Sequence, residues 1–314
     1  MKSIDSFHLV IVCLLSNFES WCYMIIVVVG PTAVGKTKMS IELAKQFNGE
    51  VINADSTQIY KGLDIATAKV TEEEMDGVVH HLLDVRDITS DYTVYDYQKD
   101  ARNCIDDILG RGKTPILVGG TGLYIKAALY NYEFGDSSNH EQYLEYSDQE
   151  LFEKLLLVDP NTKVHPNNRK RVVRSLNYYY DTGKPFSEQE LSDQLMYDDV
   201  YFIGLTTDRD YLYERINLRV DKMMEQGLLL EAKQVYDTEI RTKAVMTPIG
   251  YKELFPYFDG VEQLEVCVEK IKQNSRKYAK RQYTWFRHQL PVIWFDVCFE
   301  DFQKTVDEVV SYIC

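Results

Sequence analysis

The sequence predicts an α/β fold, in which a parallel sheet core is interrupted by a mostly helical insertion domain. Short apolar runs alternate with helical patterns from residue 24 to about residue 130, as is typical of parallel sheets. Strand signals are weak over 131–199, and a further apolar run follows at 201–205. We therefore predict a first part of the core at 24–130, an insertion domain at 131–199 and a second part of the core at 200–314.

The core strands are predicted from short runs of apolar and β-branched residues. The first run, IIVVV at 25–29, is followed by residues 37–47, whose apolar positions have helical spacing, and then by VINA at 51–54. A strand, a helix and a strand at this spacing form a parallel unit. Further strand candidates are PILVGG at 115–120, YFIGL at 201–205 and PVIWFDV at 291–297.

Helical patterns dominate the rest of the chain. Two of them, at 149–158 and 169–180, lie in the predicted insertion domain. A longer one at 210–227 opens the second part of the core; it starts with an acidic residue and ends at a glycine, as helices commonly do.

The composition indicates a globular protein of 314 residues, with 45% hydrophobic and 27% charged residues. The formal net charge of −14 argues against non-specific binding to nucleic acid or to an anionic membrane. Residues 1–23 are interpreted as an N-terminal extension outside the working domain, because Met24 directly precedes the first predicted strand. The apolar run at 8–15 is too short to span a bilayer, so no membrane association is predicted.

The cysteines show neither a CxxC pair nor the spacing of a zinc site. They are expected to be free thiols in a reducing compartment, which predicts a cytoplasmic protein. The six cysteines are Cys13, Cys22, Cys104, Cys267, Cys298 and Cys314.

Residues 30–37 lie between a predicted strand and a predicted helix, as a phosphate-binding loop (P-loop) requires. The N–H groups of such a loop and the positive end of the helix form an anion cradle. Lys36 is placed to reach the outer phosphates and Thr37 to bind Mg²⁺. The core is therefore predicted to be P-loop NTPase-like, with a diphosphate or triphosphate ligand. The loop consists of Gly30, Pro31, Thr32, Ala33, Val34, Gly35, Lys36 and Thr37.

Asp55 follows the second predicted strand, on the side where ligands of parallel sheets bind. A carboxylate there serves either as a base or metal partner, or as a cap of a turn through Ser56. The adjacent His80 and His81 point apart on one element and make poor partners for one metal ion. Packing, or a hydrogen bond to Asp84, is the preferred interpretation.

Arg215 and Arg219 are four residues apart on a predicted helix and share one face. They are interpreted either as guanidinium clamps over the phosphates or as a solvated face paired with Glu214 or Asp221. Arg209 is a third candidate of the same kind.

Two basic runs contrast with the acidic chain. No acidic residue occurs from Pro160 to Tyr180 or from Lys270 to Phe295, and aromatic residues occur within the second run. Basic residues bind phosphates and aromatic residues stack on unpaired bases, so these runs predict a local RNA-binding surface.

Several motifs together resemble those of the tRNA dimethylallyltransferases, also called tRNA isopentenyltransferases. They begin with the P-loop, follow the family order and cover almost the whole chain from 24 to 294. The others are D-S-x-Q-x-Y at 55–60, T-A-K at 67–69, HHLLD at 80–84, G-G-T-G-L-Y at 119–124, H-P-N-N-R-x-R-x-x-R at 165–174, T-G-K-P at 182–185, G-Y-K-E at 250–253 and K-R-Q-x-T-W-F-R at 280–287.

The resemblance implies an enzyme that moves a dimethylallyl group from dimethylallyl diphosphate to N6 of an adenosine. That adenosine lies 3′-adjacent to the anticodon in tRNAs reading codons that begin with U. The P-loop would hold the diphosphate, with Mg²⁺ at Thr37, and Asp55 would be the base. Thr121 would lie near the target base, although a turn-forming hydroxyl is an alternative interpretation.

The resemblance also implies contacts with the anticodon stem-loop of tRNA. A C-terminal zinc finger, which some relatives carry, is not expected because no matching histidines accompany Cys298 and Cys314. The implied contact residues are Asp55, Ser56, Thr57, Gln58, Thr121, Lys170, Arg171, Val172, Val173, Arg174, Gly250, Tyr251, Lys280, Arg281, Gln282, Trp285 and Arg287.

Three alternative functions remain open from the residues. A P-loop small-molecule kinase would use the same loop and a carboxylate base. A prenyltransferase acting on free adenine nucleotides would share the chemistry but has no need of two basic runs. A non-catalytic RNA-binding protein would not need Lys36, Thr37 and Asp55. Nothing in the sequence requires more than a monomer.

Overall fold

The computed structural model describes residues 24–131, 143–188 and 194–314. The predicted extension at 1–23 lies outside these residues. The chain divides into two compact units, one up to Leu129 and again over Tyr197–Cys314, the other over Tyr130–Met196. The sequence had placed this insertion at 131–199.

A six-stranded, all-parallel sheet forms the centre of the first unit, which confirms the predicted fold class. Its strand order is β3-β2-β4-β1-β5-β6. The sequence missed β3, because two residues are too few for an alternating pattern. The strands are β1 (Ile25–Val29), β2 (Gly49–Asn53), β3 (His80–His81), β4 (Thr114–Val118), β5 (Val200–Thr206) and β6 (Ile293–Asp296).

Strand β1 lies in the middle of the sheet and is fully buried. Its residue Val27 pairs with Leu117 of β4 on one side and with Phe202 of β5 on the other. An unbroken apolar run is what a parallel strand covered on both faces requires, and β-branched side chains suit its extended backbone. The C-terminal ends of β1, β2 and β4 therefore meet at one edge of the sheet.

Helices cover the sheet of the first unit. The longest has 26 residues. Another begins at Val94, where Thr93 and Asp96 form a capping box. Asp208 caps the predicted helix at 210–227, which the structure places at 209–225. The helices are α1 (Lys36–Gln46), α2 (Glu72–Met75), α3 (Val94–Gly110), α4 (Gly122–Leu129), α7 (Arg209–Glu225), α8 (Leu228–Asp237), α9 (Lys243–Met246), α10 (Phe255–Phe258), α11 (Leu264–Gln289) and α12 (Phe302–Ile313).

The second unit is helical over its described residues. It contains α5 (Asp148–Val158), α6 (Arg169–Thr182) and a 3₁₀ turn at Phe186–Glu188. Its helices pack through a separate hydrophobic cluster that includes Leu151, Leu155 and Leu176. Residues 132–142 and 189–193 of the predicted insertion lie outside the described residues. Across all described ranges, no helix combines the length and the apolar character needed to cross a bilayer.

Candidate active site

The P-loop connects β1 to α1 at the C-terminal edge of the sheet. Gly35 precedes α1 with a φ of +103°, a left-handed conformation that glycine adopts without strain. In the described part of the chain no side chain caps α1, so its first N–H groups are free to bind an anion.

A cavity of about 1140 Å³ opens in front of the loop, within the first unit. Asp55 and Asn53 line it from the end of β2, Val118 and Gly119 from the end of β4. The loop contributes Thr32, Ala33, Gly35, Lys36 and Thr37, whereas Gly30, Pro31 and Val34 are buried behind them. Helix α7 adds Arg215 and Arg219, and helix α11 adds Tyr278, Arg281 and Gln282.

Lys36 is the first residue of α1, and its Nζ donates to the carbonyl of Pro31 at 2.7 Å. Burial and the charge of Arg219 lower the pKa of Lys36 to about 7, while Asp55 acts in the opposite direction. A second cation beside a buried ammonium is unfavourable unless an anion joins them. The arrangement is therefore suited to a bound phosphate group.

Arg215 closes one side of the loop. Its Nε donates to the carbonyl of Ala33 at 3.1 Å, and its guanidinium carbon lies 3.8 Å from the centre of the Phe299 ring. Burial lowers the pKa of Arg219, and Asp55 partly offsets this effect. Both side chains line the cavity.

The alternative interpretation, that Arg215 and Arg219 form ion pairs with Glu214 or Asp221 on a solvated face, is wrong. Asp221 binds Lys272 at 2.6 Å, and no ion pair joins Glu214 to either arginine within the described ranges. The third candidate, Arg209, does not line the cavity. Its Nε lies 3.3 Å from the hydroxyl of Tyr213 on the surface of α7.

Asp55 has two carboxylate oxygens in different surroundings. Oδ1 accepts hydrogen bonds from the N–H of Thr57 at 3.0 Å and from its hydroxyl at 2.7 Å. Oδ2 has no hydrogen-bond partner among the described residues and lies beside Gly120. One oxygen thus caps the turn, through Thr57 rather than Ser56, and the other is open to a ligand in the cavity.

Thr121 lies directly beside the Asp55 turn. Its Oγ1 accepts from the N–H of Ser56 at 3.0 Å and lies 3.2 Å from the Ser56 hydroxyl. Gln58 acts further along, where its amide donates to the carbonyls of Thr67 at 3.0 Å and Ala68 at 3.3 Å. Thr121 thus fixes the turn that follows Asp55, and Gln58 connects this turn to the loop at 67–68.

The predicted RNA-binding residues differ in exposure, and those around Asp55 and Thr121 are half-buried. Val172 and Val173 belong to the hydrophobic cluster of the second unit, and Tyr251, Gly250 and Gln282 are buried in the first. The side chains of Val172, Val173 and Tyr251 are packed inside their units, whereas Gln282 also lines the cavity. The exposed residues are Lys170, Arg171, Arg174, Lys280, Arg281 and Arg287; Trp285 is half-buried.

Neither His80 nor His81 has Asp84 as its hydrogen-bond partner. His81 Nε2 lies 2.7 Å from Glu50, and His80 Nδ1 lies 2.9 Å from the carbonyl of Val78. Asp84 instead binds Lys69 at 2.5 Å. No group of three or more potential metal-ligating His, Cys, Asp or Glu side chains occurs in the described part of the chain.

Sequence analysis missed two residues that shape the cavity. Tyr278 lies four residues before Gln282 on α11 and lines the cavity with it; this helical spacing was available as a signal. Glu231 accepts from the N–H groups of Ile65 and Ala66 and from the hydroxyl of Tyr251. No local pattern connects Glu231 with a loop more than 160 positions earlier.

Comparison with known proteins identifies the family. Residues 58–289 match the family model described as IPP transferase. The chain belongs to the IPP transferase family. It is 50% identical over 298 residues to a tRNA dimethylallyltransferase of Anoxybacillus flavithermus, which covers 92% of this chain and 96% of the relative. The tRNA dimethylallyltransferase of Bacillus subtilis is 50% identical over 285 residues, or 87% and 90% of the two chains.

Solved structures give the same result. The tRNA isopentenylpyrophosphate transferase of Staphylococcus epidermidis superposes with a TM-score of 0.70 at 42% identity, covering 93% of this chain and 99% of that one. A eukaryotic dimethylallyltransferase acting on tRNA superposes with a TM-score of 0.82 at 33% identity, covering 92% and 77%. These relatives are prenyl-transferring enzymes with a P-loop NTPase-like fold. Their fold confirms the fold class predicted from the sequence.

Proposed function

We propose that this chain transfers a dimethylallyl group from dimethylallyl diphosphate to N6 of an adenosine in tRNA. The adenosine is 3′-adjacent to the anticodon in tRNAs that read codons beginning with U. One observation carries the proposal: a single cavity contains both a phosphate loop with Lys36 and the open carboxylate oxygen of Asp55. A phosphate ester and a nucleophile can meet there.

The cations of the cavity bind the diphosphate of the donor. Lys36, Arg215 and Arg219 surround the loop, and the N-terminus of α1 adds positive potential. Their charges stabilise the negative charge that develops on the leaving oxygen as the bond to the prenyl carbon breaks. Binding of the anion also raises the pKa of Lys36 and so keeps its ammonium charged.

Asp55 acts on the acceptor. N6 forms a bond to C1 of the donor, the C1–O bond breaks, and diphosphate leaves with the electron pair. Oδ2 of Asp55 accepts the proton that N6 loses. An exocyclic amine is a poor nucleophile, so orientation supplies much of the rate, and Thr57 fixes the carboxylate through Oδ1. The target base must leave its stack to reach this site.

A Mg²⁺ ion fits the oxygen donors of this site. Thr37 is exposed at the start of α1 and lines the cavity. A single hydroxyl, without a carboxylate cluster, suits an ion that takes most of its ligands from phosphate and water. Thr37 would hold the ion, which supplies charge neutralisation of the diphosphate when bound.

The exposed basic residues support tRNA as the acceptor. Lys280, Arg281 and Arg287 lie on the exposed side of α11, and Arg281 reaches the cavity. Lys170, Arg171 and Arg174 are exposed on α6 of the second unit. These side chains can bind the phosphates of the anticodon stem-loop, a contact that a free nucleotide does not need.

A transfer assay tests the proposal. Purified protein, Mg²⁺ and labelled dimethylallyl diphosphate are incubated with unmodified tRNA or with AMP, and a parallel reaction contains ATP as the only phosphate donor. Label in tRNA at the adenosine beside the anticodon is the expected result. Label in AMP alone would indicate a nucleotide prenyltransferase, and phosphate transfer from ATP would indicate a kinase.

The proposal includes a cytoplasmic monomer. Four cysteines of the described residues, Cys104, Cys267, Cys298 and Cys314, are free thiols, in agreement with a reducing compartment. Light scattering coupled to size exclusion measures the mass directly.

A further inference from the structure

We propose that Gln282 is a positioning residue that couples the phosphate loop to the catalytic carboxylate. This inference builds on the proposed function and replaces the RNA-binding role that the K-R-Q-x-T-W-F-R motif suggested for this side chain. Gln282 lines the cavity but is only 4% exposed, and both ends of its side-chain amide are already bound to backbone groups of the protein.

The amide of Gln282 joins two loops that are far apart in the sequence. Its Oε1 accepts from the N–H of Thr32 at 2.9 Å, and its Nε2 donates to the carbonyl of Gly120 at 3.2 Å. Thr32 belongs to the P-loop, and Gly120 belongs to the turn between β4 and α4. A glutamine can do this because its amide carries a donor and an acceptor side by side.

Gly120 lies between Gln282 and the base. A Cβ on Gly120 would fall 2.2 Å from Nε2 of Gln282 and 3.3 Å from Oδ2 of Asp55. Only glycine permits this approach, because any side chain would collide with the amide. A shift of the Gln282 amide would therefore move Gly120, which lies beside the open Oδ2 of Asp55.

The neighbours of Gln282 on α11 reinforce the same contact. Tyr278, four residues earlier, lines the same cavity as Gln282, and burial raises the pKa of its hydroxyl. Trp285, three residues later, packs so closely on Gly122 that a Cβ there would fall 2.0 Å from its ring. These three side chains share one helical face, whereas Lys280, Arg281 and Arg287 are exposed. One motif thus has an inward face that shapes the site and an outward face suited to RNA.

The coupling has a specific kinetic consequence. The loop holds the donor and Asp55 holds the acceptor amine, so their separation determines whether C1 and N6 reach bonding distance. Loss of Gln282 should weaken donor binding, because the loop is no longer fixed at Thr32. It should also slow transfer, because the turn beside Asp55 is no longer fixed at Gly120.

Two variants test the inference against the RNA-contact alternative. Gln282→Met removes both hydrogen bonds at similar length, and Gln282→Glu keeps an acceptor for Thr32 but has no proton for Gly120. For Gln282→Met we expect KM for the donor to rise and kcat to fall, each by about tenfold, as the loss of a buried hydrogen bond allows. The Kd for tRNA, measured by filter binding, should stay within about twofold. For Gln282→Glu, we expect the KM for the donor to stay close to the wild-type value while kcat falls.

The matched control is Lys280→Ala, two residues away on the exposed side of the helix. It is expected to raise the Kd for tRNA with donor KM unchanged, the opposite pattern. A tenfold rise in the tRNA Kd of Gln282→Met with unchanged donor KM would overturn the inference, as would unchanged kinetics of both variants.

A second measurement separates this inference from the proposed function. Inorganic diphosphate should protect the wild-type chain against thermal unfolding, because it binds only the folded loop. Gln282→Met should lose most of this increase in Tm, even if no prenyl transfer to tRNA occurs at all. An unchanged increase in the variant would show that the loop does not depend on Gln282. Failure of wild-type transfer, by contrast, would refute the proposed function alone.

Discussion

Two carboxylates lie near opposite ends of strand β2, and their surroundings differ: one is fully paired and the other is not. Glu50, near the start of the strand, is 3% exposed and accepts from Arg111 at 2.5 Å, from Lys113 at 2.7 Å and from His81 at 2.7 Å. Asp55, just after the end of the strand, has one oxygen bound within its own turn and one oxygen open to the cavity. Five positions separate a fully paired carboxylate from an incompletely paired one.

The cations follow the same division. Around Glu50 they are paired with carboxylates, whereas Lys36 and Arg219 form no salt bridge with any described residue. Burying charges without partners costs free energy, so a fold retains them where a ligand completes the set. Complete pairing indicates a stabilising role, and incomplete pairing beside a cavity indicates a binding or catalytic role.

The largest expected effect comes from Asp55→Asn. This change keeps an acceptor for the N–H of Thr57 and removes the base, so kcat should fall by about 10²–10⁴-fold with little change in Tm. Single-turnover transfer with saturating donor and tRNA measures it. A lower Tm with an unchanged kcat would instead show that Asp55 stabilises the fold and is not the base.

Lys36→Met should have the next largest effect, raising donor KM by about a hundredfold, because a charge-assisted contact to phosphate is lost. The wild-type pH profile follows from the pKa of Lys36, which burial lowers to about 7. The protonated form binds the anion, so kcat/KM for the donor should decrease as pH rises above about 7. Lys36→Arg, which stays charged, should lack this decrease; a decrease that persists in it would assign the titration to another group.

Glu50→Gln should affect stability and leave catalysis intact. Loss of hydrogen bonds to charged groups at a buried carboxylate should lower the free energy of unfolding by about 2 kcal/mol. Hydrogen bonds from Arg111, Lys113 and His81 hold the pKa of Glu50 well below its usual value of 4.5, so this stabilisation is present at neutral pH and is lost progressively as pH falls below about 4.5. Denaturant unfolding of wild type and variant at pH 7 and pH 4 checks both statements. If Glu50→Gln loses activity as well as stability, the stabilising role of Glu50 and the catalytic role of Asp55 are not independent.

The smallest effect is expected for Phe299→Leu. The ring of Phe299 lies against the guanidinium of Arg215, and this cation–π contact orients the arginine towards the loop. Donor KM should rise by about threefold with kcat unchanged, as measured by initial rates at saturating tRNA. Phe295→Leu, whose ring packs on Tyr312 instead, is the control and should leave donor KM unaltered.

The sequence predicted one side of this comparison better than the other. The P-loop and Asp55 follow strands directly, so strand assignment alone places them at the same edge of the sheet. The partners of Glu50 are 31 to 63 positions away, whereas the local sequence offers packing or a hydrogen bond to Asp84 for the histidine pair. Pairing across neighbouring strands cannot be inferred from local spacing.

The motifs also did not distinguish exposed residues from buried ones. Motif membership placed Gln282 with Lys280 and Arg281 as RNA contacts, but a helix turns by about 100° per residue and separates them. The same holds for Val172 and Val173, which are buried between exposed basic neighbours. Helical periodicity within the basic runs would have divided each of them correctly.

The order of the strands also determines when the donor site can exist during synthesis. Strand β1 leaves the ribosome early, but one of its two partner strands, β5, begins only at Val200. Gln282, which accepts a hydrogen bond from the N–H of Thr32, follows 250 positions after that residue. Until then, an apolar central strand has an unpaired edge, which is a hazard for nascent chains. A chain released halfway would carry the complete P-loop sequence without a donor site, and would depend on chaperones to stay out of aggregates.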